Sequence, residues 1–334
     1  MSNFLHPHSP IGLDIGNYSV KIAKIKKGPF TKKPSLCFSA AMINADRARQ
    51  SIIDAIRKAS ASLTLDSKKV NFSIAGPQVI MRYILLPFMS EKDLSKSLEF
   101  ELEKYIPYKK EEAIINCHIL AKMPNNQMIV LLVAAERKIV QEKIEIIKEA
   151  GLEPQLITVD SLALCEAFKA ISPRQKGVVA LIDIGYRLAK LVVLENNIPF
   201  FSRDIEVGEY DIVQMISEKM NIGYPSAQEL VYEPQGKTQE LIEAAKTELH
   251  SLLNELSLSF EYCERNLEKT VGQLYICGGG SKIKIISEFL GKIPSVTISP
   301  LDIAHAFSVS SPEDIHSSLE YASFLAVAAG LALS

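Results

Sequence analysis

Tryptophan is absent, and neither sign of charge is in excess: 37 Lys and Arg stand against 39 Asp and Glu in 334 residues. Basic residues this balanced and dispersed leave no electrostatic footprint for nucleic acid, and none for an acidic membrane surface. Cysteine is scarce. Its five copies, Cys37, Cys117, Cys165, Cys263 and Cys277, are odd in number and fall at no metal-ligand spacing. That argues against a disulfide framework or a zinc site and for reduced thiols in a cytoplasmic protein. The six histidines are scattered as well, with only His6 and His8 close together, in the N-terminal tail. Long apolar runs are also missing. The longest, 128–135 and 321–333, fall short of the roughly 20 residues that a spanning helix needs. Residues 1–10 have neither the basic start nor the apolar stretch of a signal peptide. The expectation is a soluble cytoplasmic protein with no direct membrane insertion, any membrane contact being made through a partner.

What is present is an ordinary globular balance, 47% hydrophobic and 23% charged, over a length that suits two domains. Strands are expected at 11–15, 19–25 and 36–43, a helix at 48–62, and strands at 70–75 and 81–86. A helix at 90–105 starts on Ser90, with Asp93 three residues on as a capping box, and stops before Pro107. A strand pair at 114–121 and 127–134 and a helix at 138–150, closed by Gly151, follow. Residues 88–154 thus read as an αββα unit inserted in a first domain of 1–172. The second domain, 173–334, opens on strands at 178–184, 189–195 and 198–205. It continues through a helix at 209–220, one long amphipathic helix at 238–267, a strand at 274–277 and a helix at 281–290. A small-residue helix at 320–333 closes the chain and is expected to pack back on the first lobe.

One motif occurs twice. Asp14-Ile15-Gly16-Asn17-Tyr18-Ser19-Val20-Lys21 aligns without gaps on Asp183-Ile184-Gly185-Tyr186-Arg187-Leu188-Ala189-Lys190, and the offset is 169 residues at both ends. Half-chain spacing indicates a duplicated lobe. A glycine in a tight turn between strands takes positive φ and brings backbone N–H groups near an anion. An Asp beside a triphosphate repels it unless Mg²⁺ lies between them. Two facing hairpins therefore suit a Mg²⁺-bound nucleotide, with Asp14 and Asp183 on the metal side. Gly16, Asn17, Ser19, Lys21 and Gly185 would lie around the phosphates. A third site, Gly278-Gly279-Gly280-Ser281, leads from a strand to an expected helix N-terminus, where bare backbone meets a ligand. It matches neither the dinucleotide fingerprint nor the P-loop.

In this order the motifs resemble the actin-like ATPase superfamily, and within it the PilM family of type IV pilus assembly. Three further stretches are similar to that family: residues 100–108, ending in Tyr105-Ile106-Pro107-Tyr108; Val159-Asp160-Ser161; and the terminal 326–333. The resemblance implies α/β lobes of ribonuclease H type, duplicated around a nucleotide cleft. It also implies a cytoplasmic scaffold that binds the N-terminal peptide of a PilN-like inner-membrane protein, alongside other pilus or secretion components. The implied peptide groove lies near 81–154, where Tyr83, Leu86, Phe88, Tyr105, Ile106 and Tyr108 are suited to line it.

The chain departs from the family at two places. The second hairpin carries Tyr186-Arg187-Leu188-Ala189 where hydroxyl or amide side chains are usual, and Gln228 and Val231 replace a Glu and a Lys. Both changes weaken nucleotide contacts, so at most a weak ATPase is implied, and no general base is evident. Glu99, Glu101, Glu103 and Asp160 read as helix-surface and capping residues. Three alternatives stay open: a nucleotide-free scaffold like the cytoplasmic domain of type II secretion GspL proteins, an FtsA-like filament, and a sugar kinase.

Overall fold

The computed structural model describes residues 10–26, 33–310 and 322–334, with the backbone alone at 99–101 and 103. The tail with His6 and His8, and the first residues of the expected closing helix, lie outside the described residues.

Two sheets of the same build form the frame. In the first, β1 (Ile11–Ile15), β2 (Ser19–Lys26) and β3 (Ser35–Met42) run antiparallel, and after helix α1 (Arg49–Ala61) strand β4 (Lys69–Ile74) pairs parallel with β1. The excursion between β4 and its parallel neighbour holds β5 (Val79–Pro87), α2 (Glu91–Tyr105), β6 (Ala113–Met123), β7 (Gln127–Glu136) and α3 (Arg137–Glu149). The chain then returns as β8 (Glu153–Val159) on the far side of β4, followed by α4 (Asp160–Ile171).

The second sheet repeats the pattern with β9 (Val178–Ile184), β10 (Ala189–Glu195) and β11 (Ile198–Ile205). Helices α5 (Glu209–Met220), α6 (Tyr224–Tyr232), α7 (Thr238–Ala244) and α8 (Lys246–Leu267) precede β12 (Gln273–Cys277), α9 (Lys284–Leu290) and β13 (Thr297–Pro300). Strand orders are β3-β2-β1-β4-β8 and β11-β10-β9-β12-β13, with β14 (Ser308–Ser310) added beside β3. The shared order is what the expected duplication requires. The 169-residue offset ends with the hairpins, because β10 and β11 meet in a two-residue turn. Asn196 and Asn197 there both take positive φ, 52° and 66°, as a type I′ hairpin turn demands.

The central strands are nearly continuous apolar runs because helices cover both faces. Ile182, Ile184, Leu191 and Val193 pack on α5, α8 and α9, while Leu13, Val20 and Ile22 pack on α1 and α3. The terminal helix α10 (Ala326–Leu333) is buried against β1, β2 and α4. Its backbone comes so close that a Cβ on Gly12 would strike the Ala328 carbonyl, and one on Gly330 would strike that of Ala163. Asn71 Nδ2 donates to the Leu331 carbonyl at 3.1 Å and fixes the register.

Some elements differ from their expected form. Strand β5 joins the separate sheet β5-β7-β6, and α3 buries Val140 and Ile147 in the first lobe's core. The unit with its own core is therefore a βαββ arrangement over 79–136, and α3 is the crossover helix, as α9 is in the second lobe. The helix expected over 238–267 breaks at Ala245 (φ −90°, ψ 8°), which lets Leu241 and Leu249 reach one core from two axes. The residues after Gly278 form a 3-10 turn, Gly279–Lys282, and α9 starts only at Lys284 after an extended Ile283. The triple glycine therefore does not open onto an α-helix N-terminus. Other expectations hold: Ser90 Oγ accepts from the Asp93 N–H at 3.2 Å, and Gly151 closes α3 at φ 92°.

Candidate functional site

Both hairpins are built alike. Gly16 N–H donates to the Ser19 carbonyl at 3.1 Å, and Gly185 N–H to that of Leu188 at 3.0 Å. Neither glycine takes positive φ. They are required because a Cβ would come within 3.1 Å of the Ser19 oxygen and 2.9 Å of the Leu188 oxygen. The tips are Asn17-Tyr18 and Tyr186-Arg187. Below them, antiparallel register places Asp14 opposite Lys21 and Asp183 opposite Lys190, and directly opposed side chains share a face of the sheet.

The hairpins face each other across a cavity of about 960 Å³, the upper end of the range for small-molecule sites. Asp14, Gly16, Asn17, Ser19, Lys21, Asp183, Gly185, Gly278 and Gly279 all line it. Gly280 and Ser281 do not. A Cβ on Gly280 would meet Ile184 Cγ2 at 2.5 Å, so that glycine seats the loop on β9, and Ser281 Oγ donates back to the Gly278 carbonyl at 2.7 Å. Gly278, at φ 87°, lies against Asp183 and the Ile184 carbonyl. Gly279 opens on the cavity with little around it, Glu209 Oε2 lying at 3.4 Å from a Cβ placed on it.

The floor is charged and largely buried. Lys21 Nζ donates to Asp14 Oδ2 at 2.8 Å, and Lys190 Nζ lies 2.9 Å from Asp160 Oδ2 and 3.5 Å from Asp183 Oδ2. Burial pushes the Asp160 carboxyl up, but Lys190 and Lys143 outweigh it and hold the group below its usual range. The Asp183 carboxyl is raised, by burial first and by neighbouring Asp14 and Asp160, against the pull of Lys190. Burial drives the Lys143 ammonium down, and its Nζ donates to the Ser73 carbonyl at 3.1 Å. Asp160, expected to be a plain helix-cap residue, is thus a member of the site. It opens α4 in the first lobe while its carboxylate binds a lysine of the second. Nothing local in Val159-Asp160-Ser161 signals this.

Further cleft residues were missed. Glu209, at the start of α5, lines the cavity and accepts from Gln228 Nε2 at 3.1 Å; burial raises its carboxyl. Gln228 therefore acts by holding Glu209, while Val231 is core. Tyr18 and Tyr186 stack with ring centroids 4.9 Å apart, and the Arg47 guanidinium lies 4.7 Å above the Tyr186 ring. The Arg187 guanidinium is placed 3.5 Å over Tyr210 and 4.0 Å from Asp211.

A divalent cation between Asp14 and Asp183 does not fit this arrangement, since an ammonium is already bound to each carboxylate. Among the described residues, no group of three or more His, Cys, Asp or Glu is placed to hold a metal.

The expected peptide groove is divided by the alternation of β5. Leu86 faces α2, with Tyr105 and Tyr108 packed partly buried on the same small core, and Ile106, 4% exposed, is inside that core. Tyr83, three residues before Leu86, points to the opposite face, where its hydroxyl lies beside Cys165 and Ser202. Phe88 is 38% exposed with Lys122 Nζ 4.1 Å above its ring. The six residues thus do not line one surface, a correction that the odd spacing of 83 and 86 already contained.

Two lobes of one strand order, each presenting an Asp-Ile-Gly hairpin to a shared cleft, define the class: an actin-like ATPase fold. The family model for type IV pilus assembly protein PilM matches residues 12–334, and the chain belongs to that family. Among solved structures, the chain is similar to the PilM-PilN type IV pilus biogenesis complex, at 23% identity and a TM-score of 0.80 over 97% of this chain and 98% of that one. It also shares its fold with ethanolamine utilization protein EutJ from Carboxydothermus hydrogenoformans, at 13% identity and TM-score 0.52 over 100% and 92% of the two chains. A third is MreB 5 of Spiroplasma citri bound to AMPPNP, at 13% identity and TM-score 0.51 over 97% and 95%. No helix among the described residues is long and apolar enough to cross a membrane.

Proposed function

We propose that this protein is a scaffold of type IV pilus assembly whose cleft holds a nucleotide of ATP type rather than turning it over. The observation that carries this reading is that every carboxylate lining the cavity is already engaged: Asp14 by Lys21, Asp160 and Asp183 by Lys190, and Glu209 by Gln228. A general base must be placed and free to take a proton from the attacking water, whereas each of these carboxylates is tied through one oxygen to a neighbouring ammonium or amide. Binding draws on Lys21, Ser19 and the Gly16 loop at the phosphates and on Gly279 with Glu209 at the far end of the cavity, and no step runs through a metal. The partner is the N-terminal cytoplasmic peptide of a PilN-like membrane protein, a pairing named for the similar complex. Leu85 and Phe88, 55% and 38% exposed at the end of β5, suit an apolar segment of that peptide.

Calorimetric titration with such a peptide tests the scaffold. Saturable binding that weakens about tenfold in Phe88→Asp, equivalent to roughly 1.4 kcal/mol, is expected; no binding, with hexose phosphorylation found instead, overturns it. ATP titration of the wild type and Asp14→Ala tests the cleft. Equal affinities remove the first hairpin from the site. No wild-type binding selects the second reading, a nucleotide-free scaffold, which the tyrosine stack between the hairpin tips favours.

A further inference from the structure

We infer that Lys190 is the built-in cation of this cleft: its ammonium takes the place between Asp160 and Asp183 that a divalent metal would otherwise occupy, so the nucleotide-free protein binds no such metal there. Each hairpin carries an Asp and a Lys in direct cross-strand register, Asp14 with Lys21 and Asp183 with Lys190. The two lysines do different things. Lys21 pairs within its own hairpin, at 2.8 Å from Asp14. Lys190 spans the lobes, 2.9 Å from Asp160 on α4 and 3.5 Å from Asp183 on β9, and its side chain is 16% exposed beside two carboxylates of 12% each.

Two carboxylates this close and this buried favour a cation between them over the proton that one of them would otherwise take up, because a low local dielectric makes an uncompensated pair costly. A hydrated Mg²⁺ is one solution. An ammonium delivered by the chain is another, and it needs no dehydration step at the moment of binding. Lys143 completes the charge balance from a third side: three lysines, Lys21, Lys143 and Lys190, meet Asp14, Asp160 and Asp183. Asp204, next in the same field, accepts from the Gly76 N–H at 3.2 Å. With Asp204 the floor carries four carboxylates against three lysines, but Asp14, Asp160 and Asp183 each have an ammonium beside them, so no pair of them is left open to a further cation.

This inference concerns the site assigned above to a nucleotide, but its test uses metal alone, so failure of ATP to bind leaves it standing. Mn²⁺ is titrated into nucleotide-free protein, and free Mn²⁺ is read by electron paramagnetic resonance. The wild type is expected to leave the free-ion signal undiminished. Lys190→Met, which removes the ammonium and keeps the stem, is expected to bind one Mn²⁺ per chain, and the added substitution Asp183→Asn is expected to abolish that binding. Mg²⁺ should then raise the melting temperature of Lys190→Met and leave that of the wild type unchanged. Saturable Mn²⁺ binding by the wild type that Asp183→Asn removes overturns the inference, as does a folded Lys190→Met that binds no metal. The wild-type titration alone remains decisive if Lys190→Met does not fold.

Discussion

Tyr18 and Tyr186, one at the tip of each hairpin, lie face to face across the cleft with 22° between their ring planes. The stack joins the lobes at the mouth of the cavity, as Lys190 and Asp160 join them at its floor. Stacked aromatic pairs contribute about 0.5–1.5 kcal/mol beyond the area they bury. Tyr186→Ala is therefore expected to lower stability by at least that amount and to speed ATP association. Thermal unfolding and stopped-flow binding measure the two effects, and an unchanged association rate would show that the tips do not gate entry.

At the floor, Asp160→Ala leaves Lys190 with the more distant Asp183, at 3.5 Å, and is expected to cost about 3–5 kcal/mol, the usual loss when one partner of a buried pair is removed. The pH dependence has a definite sign. The folded-state value of Asp160 lies below its ordinary 3.8, so its contribution is fully present above that pH and is lost as pH falls through the lowered value. Denaturant unfolding of the two proteins should differ at pH 7 and converge in strong acid.

Glu209 behaves in the opposite sense. Burial raises its carboxyl above the ordinary 4.5, with Gln228 and Tyr232 only partly offsetting this. A raised carboxyl favours the fold below 4.5 and loses that contribution as pH rises through the folded value. Glu209→Gln, which keeps an acceptor for Gln228, should raise the melting temperature at pH 7 and give no gain below 4.5. A gain that persists in acid would contradict the assignment.

The glycines of the 278–280 loop separate fold from ligand. Gly278→Ala meets a positive φ of 87° and runs into Asp183, a combination expected to cost more than 1–2 kcal/mol of stability. Gly279→Ala finds only Glu209 at 3.4 Å; it should move stability by no more than about 0.5 kcal/mol while weakening ATP binding. Calorimetry beside thermal unfolding distinguishes the two variants, and equal effects on stability would refute the division.

Much of the frame was legible in the sequence. The hairpins could be read because Asp-Ile-Gly and the Lys seven residues after each Asp recur at one offset, and cross-strand pairing within a short turn is a local matter. The strands β8, β13 and β14 escaped notice because edge strands need not carry an apolar alternation: β8 includes Pro154 and leaves Leu156 and Ile157 exposed. The groove residues were grouped by apolar character, whereas the pleat of β5 sends Tyr83 and Leu86 to opposite faces.

By itself the sequence determined that two Asp-Ile-Gly hairpins exist, that Asp14 opposes Lys21 and Asp183 opposes Lys190, and that a glycine loop follows in the second lobe. Each of these is set by backbone geometry within a few residues. Only the tertiary structure decided that Lys190 reaches Asp160, that Tyr18 meets Tyr186, and that Gly279 rather than Gly280 faces the cavity. Those contacts join segments on different lobes or different sheet elements. Their partners are chosen by how the lobes close and by the charge that burial leaves to be balanced, which no short stretch of sequence encodes.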